Sequence, residues 1–333
     1  MFFTLIPKLD AAMFRALLLI SFLFLHACSP SEPITPPNQP WESIKTPEWY
    51  APANYDTVSV LSWNIEHFVD DFDDPYIDHP RENSPAASLP ERRRLLADAL
   101  KQIDADIVVF QEVESASFVS ALAGQYFEEL GYRLFTSKES NTWYMNVVVM
   151  SRIPLGMLHS YANIHTFRRE TDGQTELQHF TNNRLFSVDV HVHPEYHFLL
   201  TGVHLKAGRS EEDRRWRIGQ IDVLHDHYAQ RLRATPEAKI LLTGDLNIIS
   251  GDPEYEYVLS DEHSAQFVDP LGDVDSFTHP ADAPARQLDY ILPNAAMAED
   301  MVPGSKQILM PYDPETMRQI SDHLPVIVRF KTR

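Results

Sequence analysis

Cysteine is almost missing from this 333-residue chain, where Cys28 stands alone. A disulfide framework within the chain is thereby excluded, as is a zinc site built from thiolates. Basic side chains are also in short supply. Against 48 aspartates and glutamates there are 28 lysines and arginines, a formal net charge of −20. Such a balance favours solubility and opposes loose adhesion to nucleic acid or anionic lipid. It leaves room for a local basic groove, but a tight, sequence-reading DNA binder would carry a basic footprint that this chain lacks. No segment repeats at a period of roughly 20–50 residues, which excludes a solenoid or propeller. The apolar run from Ala16 to Leu25 is ten residues long, too short to span a bilayer as a helix.

What that run does have is the right company. Lys8 and Arg15 precede it, and His26, Ala27 and Cys28 follow. A basic region, a short apolar region and a small residue before the cut describe a secretory signal. Leu25-His26-Ala27-Cys28 resembles the bacterial lipobox, whose cysteine becomes the lipidated first residue of the mature protein. The alternative is an ordinary cleaved signal with an incidental cysteine, and Met13 offers a second start. Residues 1–27 are therefore expected to be a signal peptide, with Cys28 as the lipidation site. Prolines 30, 33, 36, 37, 40, 47 and 52 then remove backbone donors and favour extended chain, so 28–54 is expected to be a tether. The expected location is the cell envelope, exported and lipid-anchored. Ser29 stands where an aspartate would favour inner-membrane retention, which points to the outer membrane.

The rest reads as one α/β domain, 55–333. Buried strands are expected at Thr57–Trp63, Asp106–Phe110, Tyr132–Thr136, Met145–Ser151, Leu185–Val192, Phe198–Val203, Ile240–Thr243, Leu288–Leu292 and Val326–Phe330. Ser88-Leu89-Pro90-Glu91 forms a capping box ahead of a helix with Leu96, Leu100 and Ile103 on one face. A second helix is expected over Ser115–Leu130, stopped by Gly131, and a third after Ser210, burying Trp216, Ile221, Leu224 and Tyr228. Strands interleaved with a few helices imply two sheets or one large mixed sheet.

One pattern recurs. Apolar strands end in polar residues that a core would reject: Trp63-Asn64-Ile65-Glu66, Phe110-Gln111-Glu112, Val203-His204, and Thr243-Gly244-Asp245-Leu246-Asn247. Leu288 leads into Asp289, and Ser321-Asp322-His323 precedes the last strand. Sites in sheet proteins gather at such ends. Singly, each has a bland reading: a solvated loop carboxylate, a turn, a helix cap, a hydrogen-bonded structural histidine. Their number and order favour a site.

The motifs WNIE, FQEVE, VHLKAG, TGDLN, LDYIL and SDHLPV, with the SRIP segment Ser151 to Pro154, occur in the order and spacing of the endonuclease/exonuclease/phosphatase superfamily. The chain resembles that family, which includes deoxyribonuclease I, exonuclease III, neutral sphingomyelinases and inositol polyphosphate 5-phosphatases. The resemblance implies a four-layer α/β sandwich, two packed mixed sheets flanked by helices. It implies Glu112 as the main metal ligand, with Asn64, Glu66 and Asp322 helping to hold the metal or its waters. Oxygen donors suit Mg²⁺, or Mn²⁺. It implies Asp245 as the water-activating aspartate, Asn247 as an orienter of phosphate, His323 as acid–base or electrophile with its tautomer fixed by Asp289, and His204 on a phosphate oxygen. Lys206, Arg209 and Arg214 could form an anion-binding rim or simply a charged helix start. The aspartates from Asp70 to Asp78 could bind calcium or form a solvated loop.

Three functions remain open at this point. The first is an extracytoplasmic, metal-dependent nuclease. The second keeps the chemistry but takes inositol phosphates, lipid headgroups or small organic phosphates. The third, a surface-binding lipoprotein with a dead enzyme fold, is opposed by the intact set of carboxylates and histidines. No protein partner is indicated.

Overall fold

The computed structural model describes residues 48–50, 55–72, 78–82, 89–139, 145–162, 164, 167–169, 175–177, 184–260, 265–272 and 276–333. The expected signal peptide and lipidation site Cys28 lie outside them, as do nearly all of the expected tether and the capping residue Ser88. Residues 48–333 make one compact unit. Among the described residues no helix is long and apolar enough to cross a membrane.

In chain order the unit runs β1 (Thr57–Phe68), α1 (Leu89–Ile103), β2 (Ile107–Val113), α2 (Ala116–Tyr126), β3 (Leu134–Ser137), β4 (Asn146–Ser151) and β5 (Leu155–Ser160). A short hairpin follows, β6 (Phe167–Arg169) and β7 (Thr175–Leu177), then β8 (Leu185–His193), β9 (Tyr196–His204), α3 (Glu211–Ala234) and β10 (Ile240–Asp245). The chain closes with α4 (Pro253–Leu259), β11 (Asp289–Pro293), α5 (Ala295–Ala298), β12 (Gln307–Ile308), α6 (Pro314–Ile320) and β13 (Val326–Lys331).

Two mixed sheets result. The first has the order β12-β13-β1-β2-β4-β3 and the second β11-β10-β9-β8-β5. Each contains one parallel pair, β1 with β2 and β9 with β10, flanked by antiparallel neighbours. Both faces of both sheets are apolar, because alternate residues of each strand serve different cores. On β2, Ile107 and Val109 pack towards Val188, Phe198, Leu200 and Leu241 of the second sheet. Val108 and Phe110 point the other way, onto Leu96 and Leu100 of α1 and Leu122 of α2. On the second sheet, Leu199, Val203 and Leu242 meet Ile221, Leu224 and Tyr228 of α3. The layers are helix, sheet, sheet, helix, as the near-continuous apolar runs of doubly covered strands require.

Several local readings need correction. The helix expected over Ser115–Leu130 ends at Tyr126, because buried Phe127 leaves the helical region (φ −152°, ψ 39°). A 3-10 turn, Glu128–Leu130, follows and is capped by left-handed Gly131. Strands β5 and β12 and the β6–β7 hairpin escaped expectation; β12 is only two residues long. Trp216 is half-buried, whereas its neighbour Arg217 is fully buried.

Arg217 explains itself by its partners. Its Nη2 donates to Glu254 Oε1 at 2.7 Å, and its Nη1 donates to the carbonyls of Lys206 and Gly208 at 2.8 Å each. The pair joins α3 and α4 to the segment after His204. Removing one member of a buried ion pair leaves an uncompensated charge, at a cost of about 3–5 kcal/mol. Arg217→Met is therefore expected to lower the unfolding free energy from urea titration by that order, with a lower midpoint, and the pair Arg217→Met with Glu254→Leu to recover much of it. Equal midpoints for wild type and Arg217→Met would show that the pair contributes nothing.

Candidate active site

The parallel pairs place their C-terminal ends side by side, and the polar strand ends meet there. Asp245, last residue of β10, lies in register with His204 of β9 and with Asp289 of β11. One row of the second sheet thus presents an imidazole and two carboxylates. From the first sheet, Asn64 of β1 pairs in register with Gln111 of β2, one residue before Glu112.

A single amide links the two sheets. Asn64 Nδ2 donates to Glu112 Oε1 and to Asp245 Oδ2, 3.1 Å in each case. Glu112 and Asp245, far apart in sequence, therefore share one pocket. His204 Nε2 is 3.7 Å from the same two oxygens. The other Glu112 oxygen accepts from the His67 N–H at 3.1 Å. Asp245 Oδ1 accepts from the Asn247 N–H at 2.8 Å, and the Asn247 side chain donates to the Leu205 carbonyl.

The backbone bends to make this possible. Glu66, His67, Glu112 and Asn247 all have positive φ, between 41° and 61°. Such conformations cost on the order of 1 kcal/mol or more for residues with a Cβ, and they concentrate where geometry matters. The ladders of β2 shift register on both sides near Glu112, the mark of a bulge that re-aims a side chain. Gly244 (φ 140°) passes so close to β9 that a Cβ would fall 1.9 Å from the Val203 carbonyl oxygen. Only glycine lets Asp245 stand beside His204.

His323 completes the pocket. Its Nδ1 is 2.7 Å from Asp289 Oδ2, and its Nε2 is 4.0 Å from Asp245 Oδ2 and 3.8 Å from Asp322 Oδ1. Burial works against its charge, but Asp289, Asp245 and Asp322 outweigh burial and push its pKa up to about 10. His204, buried and beside Arg184, falls well below the ordinary histidine value and is neutral. Burial raises Glu112 above the usual carboxylate range. Burial, opposed by His323 and reinforced by Asp289, lifts Asp245 to about 7.

The donor set fits a hard divalent cation. Glu112, Asp245, Asp289 and Asp322 converge with one charged imidazole among them, an excess of buried negative charge. Asp289 Oδ1 is buried without a hydrogen-bond partner, and the ligand atoms of Glu112, His204 and Asp245 lie within 4.8 Å of one another. Carboxylate oxygens beside a carboxamide match the preference of Mg²⁺ or Mn²⁺.

Not every expected residue joins this group. The Glu66 carboxylate is committed elsewhere: it accepts from Arg81 (2.7 Å), Arg318 (2.6 Å) and the Asp322 N–H (3.0 Å). Lys206, Arg209 and Arg214 each face acids: Lys206 meets Asp213, Arg209 meets Asp252, and Arg214 lies 3.9 Å from both Asp252 and Glu254. They form the charged start of α3, whose N-cap Ser210 makes a capping box with Asp213. Sequence reasoning missed His67, stacked on His79 at 3.5 Å, and His279, 3.4 Å from Asp322. Positive φ at His67 leaves no trace in composition. His279 had a signal, since Thr278-His279-Pro280 shortly precedes Asp289.

The sequence profile of the Endonuclease/Exonuclease/phosphatase family matches residues 61–323. No curated protein sequence matches significantly. Solved structures share the fold. D. rerio TDP2 complexed with single-strand DNA product is 19% identical with a TM-score of 0.56, over 84% of this chain and 100% of that one. The human Nocturnin catalytic domain with bound sulfate is 18% identical with a TM-score of 0.56, over 84% and 95%. An endonuclease/exonuclease/phosphatase from Beutenbergia cavernae DSM 12333 is 20% identical with a TM-score of 0.55, over 84% and 72%. The profile spans most of the chain, and the two sheets between helices are the family's architecture, so this chain belongs to the endonuclease/exonuclease/phosphatase family, a family of phosphoester hydrolases.

Proposed function

We propose that the chain is a divalent-metal-dependent phosphoesterase, exported and lipid-anchored through Cys28, with nucleic acid as its first substrate class. The observation that carries the chemistry is the Asn64 bridge between Glu112 and Asp245, beside an imidazole fixed by Asp289. The similarity to a structure holding a single-strand DNA product supports the substrate class. The export and anchor rest on the N-terminal sequence alone.

Glu112 would hold the cation, with Asn64 and Asp322 beside it. When bound, the metal neutralises charge on the phosphoryl oxygens. Asp245 takes a proton from the attacking water as its oxygen bonds to phosphorus, a task suited to a base near neutrality. The P–O bond to the leaving group breaks, and that oxygen takes the Nε2 proton of His323. His204, neutral and donating from Nε2, contacts a phosphate oxygen. Asn247 fixes Asp245 through its backbone and stands ready to orient the phosphate.

A second reading keeps this chemistry for inositol phosphates or other small organic phosphates. The net charge of −20, and the acids that neutralise Lys206, Arg209 and Arg214, favour it. The test is a panel of plasmid, RNA, a phosphodiester chromogen and inositol phosphates, each with Mg²⁺ or with chelator. Hydrolysis of plasmid or RNA that disappears on chelation is expected. Turnover of inositol phosphates alone would move the assignment to the second reading. Hydrolysis that persists in chelator would reject the metal requirement.

A further inference from the structure

At the edge of the Glu112–Asp245 group, and sharing Asp322 and His323 with it, lies another convergence: the ligand atoms of His279, Asp322 and His323 fall within 4.8 Å of one another. Such a trio invites a metal reading, but Arg286 argues against it. The Arg286 guanidinium donates to His279 Nδ1, from Nη2 at 3.0 Å and from Nε at 3.2 Å. Arginine has donors only and keeps its proton, so Nδ1 must offer a lone pair. A neutral imidazole has one N–H, and here it must sit on Nε2. That nitrogen lies 3.4 Å from Asp322 Oδ2, so its N–H faces the carboxylate across a long contact and the nitrogen has no lone pair for a metal.

We propose that Arg286 and His279 form a lock that sets the direction of the Asp322 carboxylate, making His279 a positioning residue of the hydrolytic site. This inference rests on the phosphoesterase reading for its kinetic consequence. Asp322 is held at both ends. Its N–H donates to Glu66, which Arg81 and Arg318 fix, and its carbonyl accepts from the Ala281 N–H at 2.8 Å. The His279 contact takes Oδ2 and leaves Oδ1 directed at His323 Nε2, 3.8 Å away. The His279 ring also stands edge-on to His323, with centroids 4.8 Å apart. Two antiparallel backbone bonds between His279 and Arg286, and the Leu324 N–H donating to the Thr278 carbonyl, tie this loop to the Asp322 segment. Without the lock, Asp322 can rotate and its free oxygen is no longer aimed at one place.

Four variants separate the lock from plain packing. His279→Gln can still donate from its terminal amide to Asp322. His279→Asn is one carbon too short to do so. His279→Phe keeps a ring against His323 and donates nothing, and Arg286→Ala frees the tautomer. On a phosphodiester chromogen with saturating Mg²⁺, His279→Phe and His279→Asn are expected to lose roughly tenfold or more in kcat with little change in KM. His279→Gln should recover most of the loss. Wild-type kcat in His279→Phe, or a loss in His279→Gln equal to that in His279→Phe, would overturn the proposal. A readout free of catalysis is the 15N spectrum of labelled histidine. The wild-type His279 should show the Nε2–H tautomer, and Arg286→Ala should show a mixture. A pure Nδ1–H tautomer in the wild type would also overturn the lock. Should the wild type hydrolyse nothing, the phosphoesterase reading falls while the spectrum still decides the lock.

Discussion

Asp245→Ala is expected to cut turnover by roughly a hundredfold or more, the scale on which an enzyme loses an acid–base group. Asp245 is 2% exposed, and its carboxylate neighbours are engaged elsewhere, Glu112 with Asn64 and Asp289 with His323. It is the acceptor for both Asn64 and Asn247, so its removal also frees the amide that joins the two sheets. Asp245→Asn separates the two effects, since it preserves volume and one acceptor but cannot take a proton. It should be as inactive as the alanine variant.

Stability should move the other way. A group whose folded-state pKa is raised binds more protons folded than unfolded. For Asp245 the window runs from the ordinary 3.8 up to about 7, and the folded state loses stability as pH rises through it. Asp245→Asn has no such charge to bury. In chelator at neutral pH it should melt at a higher temperature than the wild type, with the advantage shrinking as pH falls towards 4. A variant that is both active and no more stable would remove Asp245 from the centre of the mechanism. A variant that is inactive but less stable would place the loss in folding instead.

The parts of this site that could be read from the chain share one property: each is a polar residue at the boundary of an apolar run. Asn64, Glu112, His204 and Asp245 stand where a core strand would continue with apolar side chains, Asp289 stands where one begins, and the near-unbroken apolar runs of strands covered on both faces make the departure visible. The doubly covered strands were legible for the same reason. What stayed hidden depends on partners distant in sequence. Glu66 looks like one more acid at a strand end, and only the fold reveals that Arg81 and Arg318 take its carboxylate. Arg217 sits among the charged residues of α3 and reads as solvated, yet it is buried against Glu254. Periodicity reports which face of an element is covered, but not which charge will find which counter-charge. The left-handed turns at His67 and Glu112 were illegible because nothing in those residue types demands positive φ.

Asp289→Asn should be nearly as damaging as the loss of Asp245, for a reason that pH can expose. The imidazolium of His323 exists because Asp289, with Asp245 and Asp322, overcomes a burial that alone would neutralise it. Asparagine can accept one hydrogen bond from Nδ1, but it brings no charge and permits the opposite tautomer. Burial should then win, and His323 should be neutral at pH 7 to 8: one tautomer lacks the Nε2 proton, and the other holds it too tightly to give to a leaving group. The expected fall in kcat is on the order of 10²–10⁴, the range for general acid–base catalysis and for a displaced triad carboxylate elsewhere. In the wild type, a histidine with its folded pKa raised from 6.5 to about 10 contributes stability that is full below 6.5 and lost as pH climbs through 10. The wild type should therefore lose thermal midpoint across that window in chelator, while Asp289→Asn stays flat there. If Asp289→Asn keeps the wild-type kcat, the proton on the leaving oxygen comes from another group, and His204 becomes the first to replace.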